Sequence, residues 1–271
     1  MTKESNQELT VKAEKVASAI KIIMNSVNIV LTGKGGVGKS FATQCAAQYF
    51  LHDKKIPTNV GDCDPVNNST SRVKGLNAEY IEIMQNNTIM QGMIDQIIQS
   101  IVENENETFF IDTGSSTYIP LMKYIHDNDL IEFFDSLDRP VYLHALIVAG
   151  QELPDTLAGF QSLCEMVKGT NVKVVAWVNE VQGKPIVTVK DKRVPLVESG
   201  YFDKFSDSLG GVVILENRNS DAFETDLSHL TENNLTLEEA KVSPDFNVMQ
   251  KARLNKVFKS IYEQLDAIYT Y

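Results

Sequence analysis

The stretch that most constrains this chain is residues 28–41, Asn-Ile-Val-Leu-Thr-Gly-Lys-Gly-Gly-Val-Gly-Lys-Ser-Phe. A β-branched apolar run, Val27 to Thr32, breaks into glycines and then into a helix-forming segment, Phe41 to Leu51. Gly33, Gly38, Lys39 and Ser40 fall on the spacing G-x-x-x-x-G-K-[ST], between a strand and a helix. That spacing has a physical reason. Backbone N–H groups can wrap a polyphosphate only where glycines permit positive φ and close approach. The helix that follows puts its positive end on the same anion. Lys39 then reaches the outer phosphates, and the Ser40 hydroxyl is placed to ligate Mg²⁺. The stretch predicts a nucleoside-triphosphate site formed by Gly33, Lys34, Gly35, Gly36, Val37, Gly38, Lys39, Ser40 and Phe41.

Two acidic motifs follow in order. Ile56 to Val60 reads as a second strand that ends at Gly61-Asp62-Cys63-Asp64-Pro65-Val66-Asn67-Asn68. Carboxylates at the carboxyl edge of a parallel strand face the crevice where ligands bind in open α/β sheets. The same residues also suit an Asx turn closing the strand. Thr108-Phe-Phe-Ile-Asp112-Thr-Gly114 is a buried strand ending in an acid and a glycine. Asp112 there would hold a Mg²⁺-bound water, and Gly114 would let the next segment move with the terminal phosphate.

The loop also carries a second lysine, Lys34, near its start. With that lysine and the two acidic motifs, the chain resembles the ParA/MinD family of dimeric ATPases. The resemblance implies ATP and Mg²⁺ as cofactors and a homodimer in the ATP state, with Lys34 reaching across to the partner's phosphates. It implies Asp62 near Mg²⁺, Asp64 positioning or polarising the attacking water, and Ser115-Ser116 in a second switch. Lys34, Lys39 and Asp64 are thus the candidate catalytic residues, and Ser40, Asp62 and Asp112 the candidate metal ligands. Asn179 ends a strand read over 171–179; the resemblance implies a hydrogen bond to the adenine edge, and position alone equally allows a strand-end turn.

Asp-Cys-Asp-Pro-Val-Asn, Ile-Asp-Thr-Gly-Ser-Ser-Thr-Tyr-Ile-Pro-Leu, Asp155-Thr-Leu-Ala-Gly-Phe160 and Leu235-Thr-Leu-Glu-Glu-Ala240 resemble the plasmid-encoded TraL/StbB branch. That branch accompanies conjugative transfer and plasmid stability operons, and the resemblance implies a plasmid DNA-binding adaptor or a transfer-machinery protein as partner. Partition proteins usually continue the first acidic motif as Pro-Gln-Gly-Asn; here it is Pro65-Val66-Asn67-Asn68.

The remaining pattern predicts a short strand in 79–84, a helix over 91–102, and two short helices in 118–138 with a break near Asn128. A strand over 141–148, a helix over 151–167 and a charged hairpin follow, the hairpin pairing 186–189 with 194–197 across Lys190–Arg193. A last strand over 211–215, helices over 220–230 and 236–241, and a long helix over 245–268 complete the chain. His144 is read as a core residue. The expected fold is one doubly wound α/β domain over 27–271, a SIMIBI-like P-loop NTPase with a mainly parallel sheet and helices on both faces. Residues 1–26 read as an extension with an amphipathic helix over 9–24. The last helix is basic in its middle (Lys251, Arg253, Lys256, Lys259). Docking on the sheet is expected of it, with membrane or DNA contact as the sharper alternative.

Charge then limits the partners. With 36 Asp and Glu against 25 Lys and Arg, the formal charge of −11 opposes uniform attraction to DNA or anionic lipid. Direct DNA binding would need a local basic patch or an adaptor. No apolar run nears the ~18 residues of a membrane span, and the polar start, Met1 to Glu8, does not read as a secretory signal. Three scattered cysteines, Cys45, Cys63 and Cys164, suit reduced thiols in a cytoplasmic protein. Two rival readings remain. One is an assembly factor or scaffold that binds ATP with little turnover. The other is an iron-protein ATPase, for which Cys45, within the phosphate-loop helix, and Cys63, within the acidic motif, are poorly placed.

Overall fold

A computed structural model of the chain describes residues 25–218 and 221–269. The helix expected over 9–24 and Ser220, the expected start of the helix over 220–230, lie outside the described residues. The strands are β1 (Val27–Val30), β2 (Thr58–Cys63), β3 (Glu79–Tyr80), β4 (Met84–Gln85), β5 (Thr88–Ile89), β6 (Thr108–Thr113), β7 (Val141–Val148), β8 (Lys173–Asn179), β9 (Ile186–Val189), β10 (Lys192–Pro195) and β11 (Leu209–Leu215). The helices are α1 (Lys39–Gln48), α2 (Gln91–Glu103), α3 (Tyr118–Asp127), α4 (Leu130–Asp135), α5 (Leu153–Met166), α6 (Asp221–Glu232), α7 (Leu237–Val242) and α8 (Val248–Tyr269). Seven strands form one sheet in the order β11-β8-β7-β1-β6-β2-β3, every pairing parallel, while β4–β5 and β9–β10 are separate antiparallel hairpins.

The sheet is buried on both faces because its strands are apolar on both. On β7, Tyr142, Leu146 and Val148 join the core under α1, α6, α7 and α8. The alternate residues Val141, Leu143, Ala145 and Ile147 join the opposite core under α2, α3, α4 and α5. The two-residue period of a strand therefore sorts one sequence into two hydrophobic layers. Each fully buried large apolar side chain contributes about 1.5–3 kcal/mol. Helix α8 spends its stripe this way: Leu254, Val257, Phe258, Ile261, Leu265 and Ile268 are all buried. Among the described residues no helix is long and apolar enough to cross a membrane.

Several boundaries differ from the sequence reading. Strand β2 begins at Thr58, because Ile56 donates its amide to the preceding helical turn at Phe50 O (2.9 Å) and Pro57 has no N–H. It also runs on through Asp62 to Cys63. The second arm of the hairpin starts at Lys192: Lys190 and Asp191 adopt φ of 48° and 63°, so two residues suffice for the turn. Helix α8 starts at Val248, where the Asn247 carbonyl oxygen Oδ1 accepts the amides of Met249 and Gln250 (3.0 Å each). Met249, in the first turn of this helix, is 63% exposed. Arg253 is drawn from the basic run into a two-pronged pair with the buried Asp226 of α6.

His144 is the polar centre of one core. Trp177 Nε1 donates to His144 Nδ1 at 2.9 Å. An indole N–H can only donate, so Nδ1 is bare and the proton sits on Nε2, 3.2 Å from Asn28 Oδ1. The Tyr269 hydroxyl donates to the same oxygen at 2.6 Å. Burial pushes the imidazole down to about 3 from 6.5. Folding therefore excludes a proton that the unfolded chain binds. The neutral imidazole costs stability as pH falls from about 6.5 towards 3, at roughly 1.4 kcal/mol per pH unit. The buried carboxyls of Asp62 and Asp112 are shifted upward and act in the opposite sense. The ring nitrogen shifts of His144 are expected to hold their neutral values from pH 7 to about 4.5 by NMR; a midpoint near 6.5 would contradict the network.

Candidate functional site

The carboxyl ends of β1, β2, β6 and β8 converge on one edge of the sheet, and each carries a residue singled out in the sequence. The loop after β1 is pinned at three points. Thr32 Oγ1 accepts the Leu146 amide of β7 (3.0 Å). Gly33 lies against the Tyr118 ring, 2.7 Å from where a Cβ would stand. Asn179 Nδ2 donates to Val37 O (3.0 Å). Gly38 ends the loop at φ 92°, a conformation that admits glycine readily, and α1 begins at Lys39. The Lys39 ammonium donates back to Lys34 O at 2.8 Å. Burial pushes Lys39 down, while Asp112 and Asp64 pull it up.

Strands β2 and β6 bring Asp62 and Asp112 into register as neighbours. Asp62 is fully buried and accepts the amides of Asp64 (3.2 Å) and Ser71 (2.8 Å). Asp112 is also buried; Thr70 Oγ1 donates to its Oδ2 at 2.7 Å, and its Oδ1 has no hydrogen-bond partner. Burial pushes Asp112 up to about 6, against the hydrogen bond from Thr70, the nearby Ser40 hydroxyl and the charge of Lys39. A buried carboxylate oxygen without a donor is costly and suits a cation or its water shell. The residues fit Mg²⁺ in this respect. Among the described residues no three His, Cys, Asp or Glu side chains gather into a metal centre.

Asp64 is turned into its own loop, where Oδ1 accepts the amides of Val66 (2.9 Å) and Asn67 (3.1 Å). The same oxygen lies 2.7 Å from where a Cβ on Gly114 would stand, so glycine there is a matter of close approach. Lys34 leaves the loop at the rim, its side chain 38% exposed, and pairs with Glu152 and, at 3.6 Å, Asp155 at the start of α5. The bond from Glu152 is the main cause holding Lys34 above its usual range.

No family model matches the chain. It is 26% identical to protein TraL of Escherichia coli over 244 residues, 90% of this chain and 98% of that one. A second Escherichia coli TraL is 25% identical over 243 residues, with the same coverage. A ParA family ATPase from Chlorobium tepidum TLS superposes with a TM-score of 0.52 at 11% identity, covering 90% of this chain and 99% of that one. The chain is similar to TraL and has a ParA-type fold.

In this TraL-like chain a cavity of about 500 Å³ opens beside the phosphate loop, lined by Gly36, Gly38, Phe41, Asn179, Phe223 and Leu227 among others. It has the size and partly apolar wall of a base pocket. Asn179 sits in that lining, with Oδ1 accepting the Val181 amide (3.0 Å) and Nδ2 on the loop. The strand-end turn is therefore present, and the same side chain also holds the glycine-rich loop. Phe223 and Leu227, from α6, come from more than forty residues beyond Asn179, and no local signal marks them. Thr70 was likewise absent from the motif reading. In sequence, Glu152 reads only as a helix residue, and Asp155 as a helix residue within the stretch resembling the TraL/StbB branch. Cys45, Cys63 and Cys164 are all buried, and burial pushes each thiol up. None is at the surface where two subunits could share a cluster.

Proposed function

We propose that this chain is a Mg-ATP-dependent ATPase switch that dimerises over its nucleotides and serves plasmid DNA positioning, stability or conjugative transfer. The placement of the two loop lysines carries the reading. Lys39 is buried beside Asp112 and Asp64, where it would neutralise charge on a bound phosphate. Lys34 stands at the rim, partly exposed and paired with Glu152 and Asp155, from where it would be free to turn to a second copy's phosphates. Three exposed apolar residues, Val66, Ile119 and Val181, follow the carboxyl ends of β2, β6 and β8 and border the same edge; a second copy would cover them. Ser40, Asp62 and Asp112 would hold Mg²⁺, which would supply positive charge to offset the charge of the phosphates. The chain's −11 charge favours contact with DNA through an adaptor protein over direct binding.

Light scattering after size exclusion tests this on wild type, Lys34→Ala and Asp64→Ala, with and without ATP and Mg²⁺. Wild type is expected to double in mass only with ATP, and Asp64→Ala to stay doubled. Lys34→Ala is expected to lose the ATP-dependent dimer while binding ADP within about threefold of wild type, because rim contacts contribute little in cis. A Lys34→Ala protein that dimerises and releases phosphate normally would remove the trans-lysine role.

One observation favours a second reading, a nucleotide-binding assembly factor with little hydrolysis. Asp64, the candidate for water activation, already spends Oδ1 on two turn amides. Phosphate release equal in wild type and Asp64→Ala, with and without DNA, would select that reading.

A further inference from the structure

We propose that Thr70 is the positioning residue that orients Asp112 for the divalent cation, the central member of a clip formed by residues 69–71. The proposal rests on the nucleotide-binding reading of the site. Asp62 and Asp112 sit side by side at the ends of neighbouring parallel strands, at 0% and 1% exposure. Two adjacent buried carboxylates repel, and each needs donors to stay ionised. One short loop supplies them from consecutive residues: the Ser71 amide on Asp62 and the Thr70 hydroxyl on Asp112. The residue before them, Ser69, offers its carbonyl to Gln44 of α1 at 3.2 Å. The clip thus ties the nucleotide helix and both acidic strands together at one place.

The asymmetry of the clip points to its use. Asp62 has both oxygens occupied by amides. Asp112 has Oδ2 held by a fully buried hydroxyl and Oδ1 left bare, with Ser40 and Lys39 as its neighbours. A purely structural site would satisfy both oxygens, since a bare buried acceptor is destabilising. A hydroxyl on one oxygen instead fixes the carboxylate plane and leaves the other for a cation or its water. Outer partners that orient a ligand in this way are typically worth 10–100-fold in metal affinity.

The test is the affinity for ADP, measured by calorimetry in excess Mg²⁺ and in EDTA, for wild type, Thr70→Val, Thr70→Ala and Thr70→Ser. Valine keeps the shape and deletes the hydroxyl. Thr70→Val is expected to bind ADP in EDTA within about twofold of wild type, while its gain in affinity from Mg²⁺ falls by about tenfold or more. Thr70→Ser is expected to restore the gain, and Thr70→Ala reads the same quantity should valine fail to fold. An undiminished Mg²⁺ gain in Thr70→Val would overturn the proposal. So would an equal loss in EDTA and in Mg²⁺, which a merely structural threonine predicts. Wild type that bound no ADP under either condition would instead remove the nucleotide reading itself.

Discussion

Lys39→Ala is expected to lower phosphate release by on the order of 10²–10³-fold, a barrier increase of about 3–4 kcal/mol, as for loss of a charge-stabilising donor in a water-excluded site. Lys39 is 7% exposed, and its ammonium faces a loop carbonyl and two acids rather than bulk water. A phosphate replacing the carbonyl of Lys34 would meet a cation whose solvation was already given up on folding. That preorganisation makes the effect large. Removal of the ammonium also leaves Asp112 and Asp64 without their nearby positive charge. A conservative Lys39→Arg should rescue little, because its planar fork does not fit a site built for one compact ammonium. Single-turnover phosphate release checks this, and a loss under tenfold in Lys39→Ala would contradict it.

The second large effect is expected at Gly38. An alanine there must adopt φ near 92°, which costs a residue with a Cβ about 1–2 kcal/mol. Its Cβ would also stand 2.7 Å from Asn179 Nδ2, displacing the amide from Val37 O and sacrificing a bond worth about 1 kcal/mol. Felt at the loop, the sum of about 2–3 kcal/mol weakens ADP binding roughly 30–150-fold. Calorimetry with ADP reads it directly; affinity within threefold of wild type would mean that the loop absorbs the methyl group.

What the sequence disclosed and what it withheld divide along a physical line. The phosphate loop, Asp62 and Asp112 were legible because their chemistry is local: a glycine pattern between a strand and a helix, and acids at the ends of apolar strands. Asp62 and Asp112 stand fifty residues apart in the chain, and the sheet puts them in register. The strand order that does so is fixed by crossovers that no short motif encodes. Thr70 escaped because Ser-Thr-Ser after a turn is ordinary loop chemistry until the fold lays Asp112 beside it. Phe223 and Leu227 escaped for the same reason, as amphipathic-helix residues whose second neighbour is a cavity. Lys34 was legible as a loop residue, but its pairing with Glu152 and Asp155 depends on where α5 starts relative to β1. Boundaries failed where a side chain decides them. Pro57 delays β2, Asn247 delays α8, and the positive φ of Lys190 and Asp191 shortens the hairpin turn.

The bond from Tyr269 to Asn28 spans 241 residues. It joins the last turn of α8 to the innermost strand of the sheet, inside a network that also fixes the His144 proton. During synthesis, then, the centre of this molecule cannot close until the final helix has left the ribosome. Before that moment β1, β7 and β8 would carry an open apolar face, and Asn28 Oδ1 would lack the hydroxyl of Tyr269. A nascent chain of this kind invites a chaperone late in translation, and a ribosome stalled anywhere before residue 269 holds a chain whose core is still unsealed.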